Sequence, residues 1–205
     1  SIVSVLTHQK HKSVDLSVIK TYGIFVIIGV MAGTLIAALL KTKSLMLFFT
    51  IIVFLLGTYL LNLQEKAKKL KPNFSLFPRV LFGFLSGTVS ATMGIGGAVM
   101  NVPILRYFGY PINKAIGSAA AIGFVIALFG AMGFLLSGHL LDANVPLSIG
   151  FLNIPVFLIF FPITAFMARI GAKTSHRLDK RKLTKYFGIF LVFVGSRFLF
   201  EYFTL

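Results

Sequence analysis

Two stretches of this chain, Tyr22–Leu40 and Leu45–Leu63, carry no charged side chain, and only the turn Lys41–Ser44 separates them. A helix needs an apolar run of about 20 residues to cross the hydrocarbon of a bilayer. There is no water at that depth, so every backbone N–H and C=O must be satisfied inside the protein, which leaves helices and closed barrels. Further apolar runs follow at Phe77–Tyr107, Lys114–Leu136, Leu147–Ile170 and Tyr186–Phe203. Their lengths suit helices rather than membrane strands of about ten residues. The expected fold is all-α, a polytopic transmembrane helix bundle. Pro155 and Pro162 are expected to kink the fifth run, because proline removes a backbone donor and crowds the preceding turn.

Composition agrees. Of 205 residues, 57% are hydrophobic and 12% charged, against about 25% charged in soluble domains. The net charge of +15 would suggest nucleic acid in a soluble protein. Here the lysines and arginines gather between apolar runs, where cytoplasmic loops facing anionic lipid account for them. No nucleic-acid partner is expected. The chain has no Cys, which excludes disulfides, thiolate metal sites and a cysteine nucleophile. His8, His11 and His176 sit among basic residues without the company of metal ligands. No paired carboxylates and no Ser-His-Asp arrangement fall on one apolar run. Neither enzyme activity, cofactor nor metal is expected.

The run Phe77–Tyr107 contains GTVSATMGIGGAVMNVPIL, Gly87 to Leu105. A continuous spanning helix has no use for such a series of breakers. Gly94, Gly96 and Gly97 can open the helix, since glycine adopts dihedrals closed to other residues. A second half-helix would restart at Ala98, with main-chain N–H groups unpaired in its first turn. Those groups and the positive end of the helix dipole attract an anion. Ser90, Thr92 and Asn101 add neutral donors, and Ser118 either caps the next helix or donates to the same anion. Gly83 and Gly87 form a GxxxG pair. They are counted with Pro103 as structural breaks, although close helix packing alone accounts for a GxxxG.

Loop charge points to a re-entrant path. If the broken run enters and returns, Lys10, Lys12, Lys20, Lys66, Lys68, Lys69, Lys71, Arg79, Arg106, Lys114 and the Arg169–Lys185 cluster share one face. Lys41, Lys43 and Arg197 are then left for the other, as the positive-inside rule requires. Arg197 and Glu201 lie one helical turn apart in the last run and are expected to pair. His139 and Asp142 are read as solvated loop residues.

The stretch Leu45–Gly57 aligns without a gap to Leu183–Gly195, and Gly33 falls on Gly171 at the same offset. With the loop topology this implies inverted repeats. Residues 1–63 would be the remainder of a first repeat, 64–76 a basic linker and 77–205 a second repeat holding the glycine motif. The first repeat's own glycine stretch would then lie upstream of Ser1. The start, without Met or a targeting segment, fits the expectation that an N-terminal part is missing.

The segment Gly83–Ala121 resembles the signature of the sulfite exporter TauE/SafE family of membrane permeases. Matching positions are Gly83, Gly87, Gly94, Ile95, Gly96, Gly97, Pro103, Leu105, Ala115, Gly117 and Ser118. The last glycine of the family's run is Ala98 here, and only one of the two usual motif copies is present. The resemblance implies transport of a small sulfur-containing or organic anion, such as sulfite or a sulfonate, across the cytoplasmic membrane. Substrate would bind at Gly94, Gly96, Gly97, Ala98, Asn101 and Ser118. The expected partners are that anion and the lipid bilayer, with a homo-oligomer left open. A passive anion channel and a non-transporting membrane scaffold stand as alternatives.

Overall fold

The structure, a computed structural model, describes residues 5, 6, 9, 13–40, 42–62, 75–142, 146–177 and 179–204. Its elements are α1 (Leu16–Leu39), α2 (Thr42–Asn62), α3 (Leu76–Met93), α4 (Gly97–Tyr107), α5 (Ile112–Leu140), β1 (Ser148–Ile149), β2 (Leu152–Asn153), α6 (Ile154–Arg177) and α7 (Lys180–Thr204). Four helices among the described residues are long and apolar enough to cross a membrane. The chain is an all-α polytopic membrane bundle. Most of the basic linker, residues 64–74, lies outside the described residues.

The run Leu147–Ile170 departs from expectation. It begins as a hairpin, with Ser148 opposite Asn153 and Ile149 opposite Leu152. Gly150 turns it with φ +59°, and Phe151 N–H donates to Phe134 O of α5 at 3.3 Å. Asn153 Oδ1 then accepts Val156 N–H at 3.0 Å and caps α6. Pro155 therefore sits in the first turn, where its missing N–H has no helical partner to lose, and it makes no kink. Helix α6 continues through Pro162.

The chain forms two compact units, Ser1–Leu39 with Lys69–Ala172, and Leu40–Lys68 with Lys173–Leu205. In the first unit α1 packs along α3 in parallel. Gly83 lies beside Tyr22, Gly87 beside Val26 and Gly33 beside Thr88. At Gly33 a Cβ would stand 2.5 Å from Thr88 O. Gly83 and Gly87 thus do not break α3, which is continuous from Leu76 to Met93. Each helix offers a glycine pair (Gly29 and Gly33, Gly83 and Gly87) to the other's backbone, the close approach that small residues allow in membranes. Thr88 and Thr92 hydroxyls cross to Gly29 O and Gly33 O. Helix α5 also runs parallel to α1, with Gly117 against Ser13, Gly130 against Val30 and Gly133 against Thr34. Tyr22, Val26, Val30, Leu105 and Ile122 form the centre of the buried core.

Helix α4 runs the opposite way. Its C-terminal neighbour Phe108 meets Phe82 near the start of α3, ring centroids 5.6 Å apart. Asn101 meets Ser86, and Gly97 at its other end meets Gly123 of α5. The chain enters on α3, turns at Gly94–Gly96 and returns on α4. Lys20, Arg79, Arg106 and Lys114 consequently lie at one end of the unit, as the re-entrant reading of the loop charges requires.

In the second unit α2 and α7 are antiparallel: Phe49 stacks near Phe198 at 4.6 Å and Lys43 Nζ lies 5.3 Å from the Tyr202 ring. A Cβ at Gly57 would stand 2.9 Å from Val192 Cγ2, and one at Gly195 would stand 3.3 Å from the Phe54 ring. Shifting positions by the sequence alignment's offset turns the first contact into the second. The same offset carries Leu16 and Leu39 onto Ile154 and Arg177, and Thr42 onto Lys180, so it relates the bounds of α1 to those of α6 and the start of α2 to that of α7. Arg197 Nη1 pairs with Glu201 Oε2 at 3.0 Å, one turn along α7.

Candidate functional site

The break is built by two glycines in different conformations. Gly94 ends α3 in the left-handed region, φ 64° and ψ 14°, the usual way glycine stops a helix. Gly96 opens α4 at φ 74° and ψ 169°, a region reserved for residues without Cβ. Nothing lies within 4 Å of a Cβ added at either position; backbone conformation, not crowding, demands glycine there. Gly97 is the reverse case. It is buried, and a Cβ would stand 2.5 Å from Gly123 Cα and 3.2 Å from Ala119 O. Close packing on α5 thus fixes where α4 begins.

The approach to α4 is open on one side. Gly94, Gly96 and Ala98 are exposed, while Gly97 and Val99 are buried. The glycine at the cap position supplies no side-chain hydrogen bond to the turn, so its first N–H groups have no helical acceptor. No charged side chain occurs between Arg79 and Arg106. Residues 80–105 themselves therefore offer an anion only main-chain dipoles and neutral side-chain donors. The 11 residues of α4 rise about 16 Å, roughly half the hydrocarbon thickness of a bilayer.

Asn101 lies one turn behind, fully buried. Its Nδ2 donates to Gly97 O at 2.7 Å, and its Oδ1 accepts from Tyr22 Oη at 2.7 Å and from Ser86 Oγ at 2.9 Å. It braces the turn from inside. Ser90 sits one turn beyond Ser86 on the same face of α3, toward the break. It is 1% exposed and its Oγ has no hydrogen-bond partner among the described residues. Thr92 is engaged, donating to Thr88 O at 2.6 Å. Ser118 is buried next to Ala119, but its Oγ accepts Asp15 N–H at 2.9 Å and ties the start of α1 to α5. Pro103 sits inside an unbroken α4 and removes the N–H that would have bonded Val99 O. The structure therefore gathers Gly94, Gly96, Gly97 and Ala98 at one point with Asn101 behind them. Gly83 and Gly87 serve helix packing.

Sequence reasoning passed over Tyr22, Ser86 and Gly123. A signal for the first two existed: a tyrosine, a serine and an asparagine, each within an apolar run, must find hydrogen-bond partners among themselves or the backbone. Gly123 gave none, because its role is to leave room for Gly97.

A sequence profile described as Sulfite exporter TauE/SafE matches residues 1–198. A probable membrane transporter protein of Haemophilus influenzae is 31% identical over 166 residues, covering 80% of this chain and 61% of that protein. One from Methanocaldococcus jannaschii is 23% identical over 184 residues, 89% of this chain and 68% of its own length. One from Bacillus subtilis is 22% identical, covering 97% and 75%. The chain thus spans about three fifths of the length of the Haemophilus relative. No solved structure matches.

Proposed function

The chain belongs to the sulfite exporter TauE/SafE family, and from that premise we propose that it is the core of a permease moving small sulfur-containing or organic anions, such as sulfite or sulfonates, across the cell membrane. The family and the names of its relatives support a membrane transporter; activity, substrate and mechanism are the proposal. The observation that carries it is the restart of a helix at Gly97, inside an apolar run, with Gly96 and Ala98 exposed beside it and no charged residue in the chain from Val80 to Leu105. Bare N–H groups at the positive end of a helix are a site for an anion. Gly96, Gly97 and Ala98 would present those groups, with Gly94 bringing the chain into the turn and the Ser90 hydroxyl as an added donor. Asn101 and Ser118 would shape the site from behind.

Alternating access is supported by the offset that relates α1–α2 to α6–α7. In inverted-repeat transporters substrate binds at discontinuous helices near the midplane, and the halves rock around it. On this reading Lys20, Arg79, Arg106 and Lys114 face the cytoplasm.

The test is uptake of labelled sulfite and sulfonates by the full-length protein in proteoliposomes, with and without a proton gradient. Saturable flux that an alternative anion competes away is the expected result. Linear, non-saturating flux would indicate a channel instead, and no flux of any small anion would refute transport of this class.

A further inference from the structure

We infer that Tyr22 is a positioning residue for the α3–α4 break, holding the first turn of α4 in place through Asn101; its bearing on transport rests on reading that turn as the anion site. Tyr22 belongs to α1, outside the broken hairpin. Its Oη donates to Asn101 Oδ1 at 2.7 Å, and Asn101 Nδ2 donates to Gly97 O at 2.7 Å. A chain of two hydrogen bonds therefore runs from α1 to the residue where α4 begins. Ser86 Oγ joins from α3, on the same Oδ1, at 2.9 Å. Tyr22, Ser86 and Asn101 are each 0% exposed, so water does not compete for these bonds.

The link is arranged so that it can open. Tyr22 Oη also lies 3.1 Å from Phe82 O, and one phenolic hydrogen serves one acceptor well. If α4 moves and takes Asn101 with it, Tyr22 keeps Phe82 O. Ser86 Oγ can turn to the Gly83 carbonyl, three residues back in its own helix, the ordinary fallback of a helical serine. Neither donor is stranded, and stranded donors are what make buried networks costly to open. The contacts of Gly29, Gly33 and Gly87 between α1 and α3 run through backbone and have no such alternative. Helices α1 and α3 therefore form a fixed frame; the start of α4 is referred to that frame by exchangeable bonds and to α5 by the packing of Gly97 on Gly123.

The test is hydrogen–deuterium exchange on the full-length protein in lipid nanodiscs, comparing wild type, Tyr22→Phe and Ser86→Ala. Phenylalanine keeps the ring that packs beside Gly83 and removes only the hydroxyl. Exchange at residues 97–101 is expected to rise between about twofold and tenfold in Tyr22→Phe, the range that one net hydrogen bond sets. Exchange across Gly83–Thr92 of α3 should stay as in wild type. Ser86→Ala should raise exchange at 97–101 as well, through loss of the second bond to Oδ1. Unchanged exchange at 97–101 in Tyr22→Phe overturns the inference. An equal rise throughout α1 and α3 also overturns it, since that marks a general packing defect. Labelled-sulfite uptake in proteoliposomes runs alongside, with a raised KM and retained kcat expected for Tyr22→Phe. If wild type takes up sulfite and the KM does not move, the role in positioning the anion turn is refuted. If wild type takes up neither sulfite nor any other small anion while the exchange difference is present, the anion reading fails and the link from Tyr22 to α4 stands.

Discussion

Gly87 is pressed against Val26 so closely that a Cβ at position 87 would run into the Val26 carbonyl oxygen and stand 2.9 Å from Val30 N. Both obstacles are backbone, so no rotamer change relieves them. Gly87→Ala should separate α1 from α3 and destabilise the bundle by about 1–3 kcal/mol, as overpacking does. Gly130→Ala is the control, because its Cβ would meet only Val30 Cγ1 at 3.8 Å, an ordinary contact. Thermal unfolding of the two variants in detergent should give a lowered midpoint for the first and an unchanged or raised one for the second.

The two exposed glycines of the break should respond differently to the same substitution. Gly94 is left-handed, at φ 64° and ψ 14°, a conformation that asparagine tolerates. Gly96, at φ 74° and ψ 169°, lies where only glycine is at ease. Gly94→Asn should retain most transport and stability, whereas Gly96→Asn should lose flux while still inserting. Neither position is crowded, so a difference between them reports backbone conformation alone. Equal behaviour of the two variants in proteoliposome uptake and membrane insertion would contradict the assigned geometry.

Much of this was legible because the bilayer permits so little. The apolar runs became helices, with bounds as much as seven residues from those expected, and the glycine run became a break, because Gly94 and Gly96 each hold a φ that other residues avoid. The short hairpin before α6 was hidden by its own composition: Leu147, Ile149, Phe151 and Leu152 are as apolar as a span, and the turn at Gly150 is a single residue's dihedral. The roles of Gly83 and Gly87 depended on which helix faced them, which only packing decides. Asn101 was legible as polar. Its buried bonds to Tyr22 and Ser86 join residues 79 and 15 positions away, a pairing that spacing along the chain does not encode.

Ala98 offers a sign test of the anion proposal. It is exposed in the first turn of α4. A carboxylate there meets the positive end of the helix dipole and should stabilise the fold slightly, by about 0.3–1 kcal/mol. The same charge would repel an incoming anion. Ala98→Asp should therefore keep or raise the unfolding midpoint while sulfite uptake falls at least tenfold, and Ala98→Asn, uncharged, should transport better than Ala98→Asp. Uptake by Ala98→Asp at the wild-type level would remove this turn from the anion's path.

Tyr110, in the turn joining α4 to α5, gives a pH prediction. Burial holds its hydroxyl above the usual tyrosine value of 10.0; the Asp15 carboxylate adds to the rise and Arg79 opposes it. The folded form therefore keeps the proton longer than the unfolded chain. The associated stability is present in full below pH 10.0 and is lost as pH climbs through the raised folded value. Tyr110→Phe should lessen the fall in stability above pH 10.0 and leave neutral pH unaffected. Asp15→Asn should move the Tyr110 titration downward, since it removes a charge that disfavours tyrosinate. Difference absorbance at alkaline pH, wild type minus Tyr110→Phe, isolates this tyrosine among the six in the chain. A midpoint that stays put or rises in Asp15→Asn would show that the carboxylate at the head of α1 does not act on Tyr110, contrary to the packing of these helix ends.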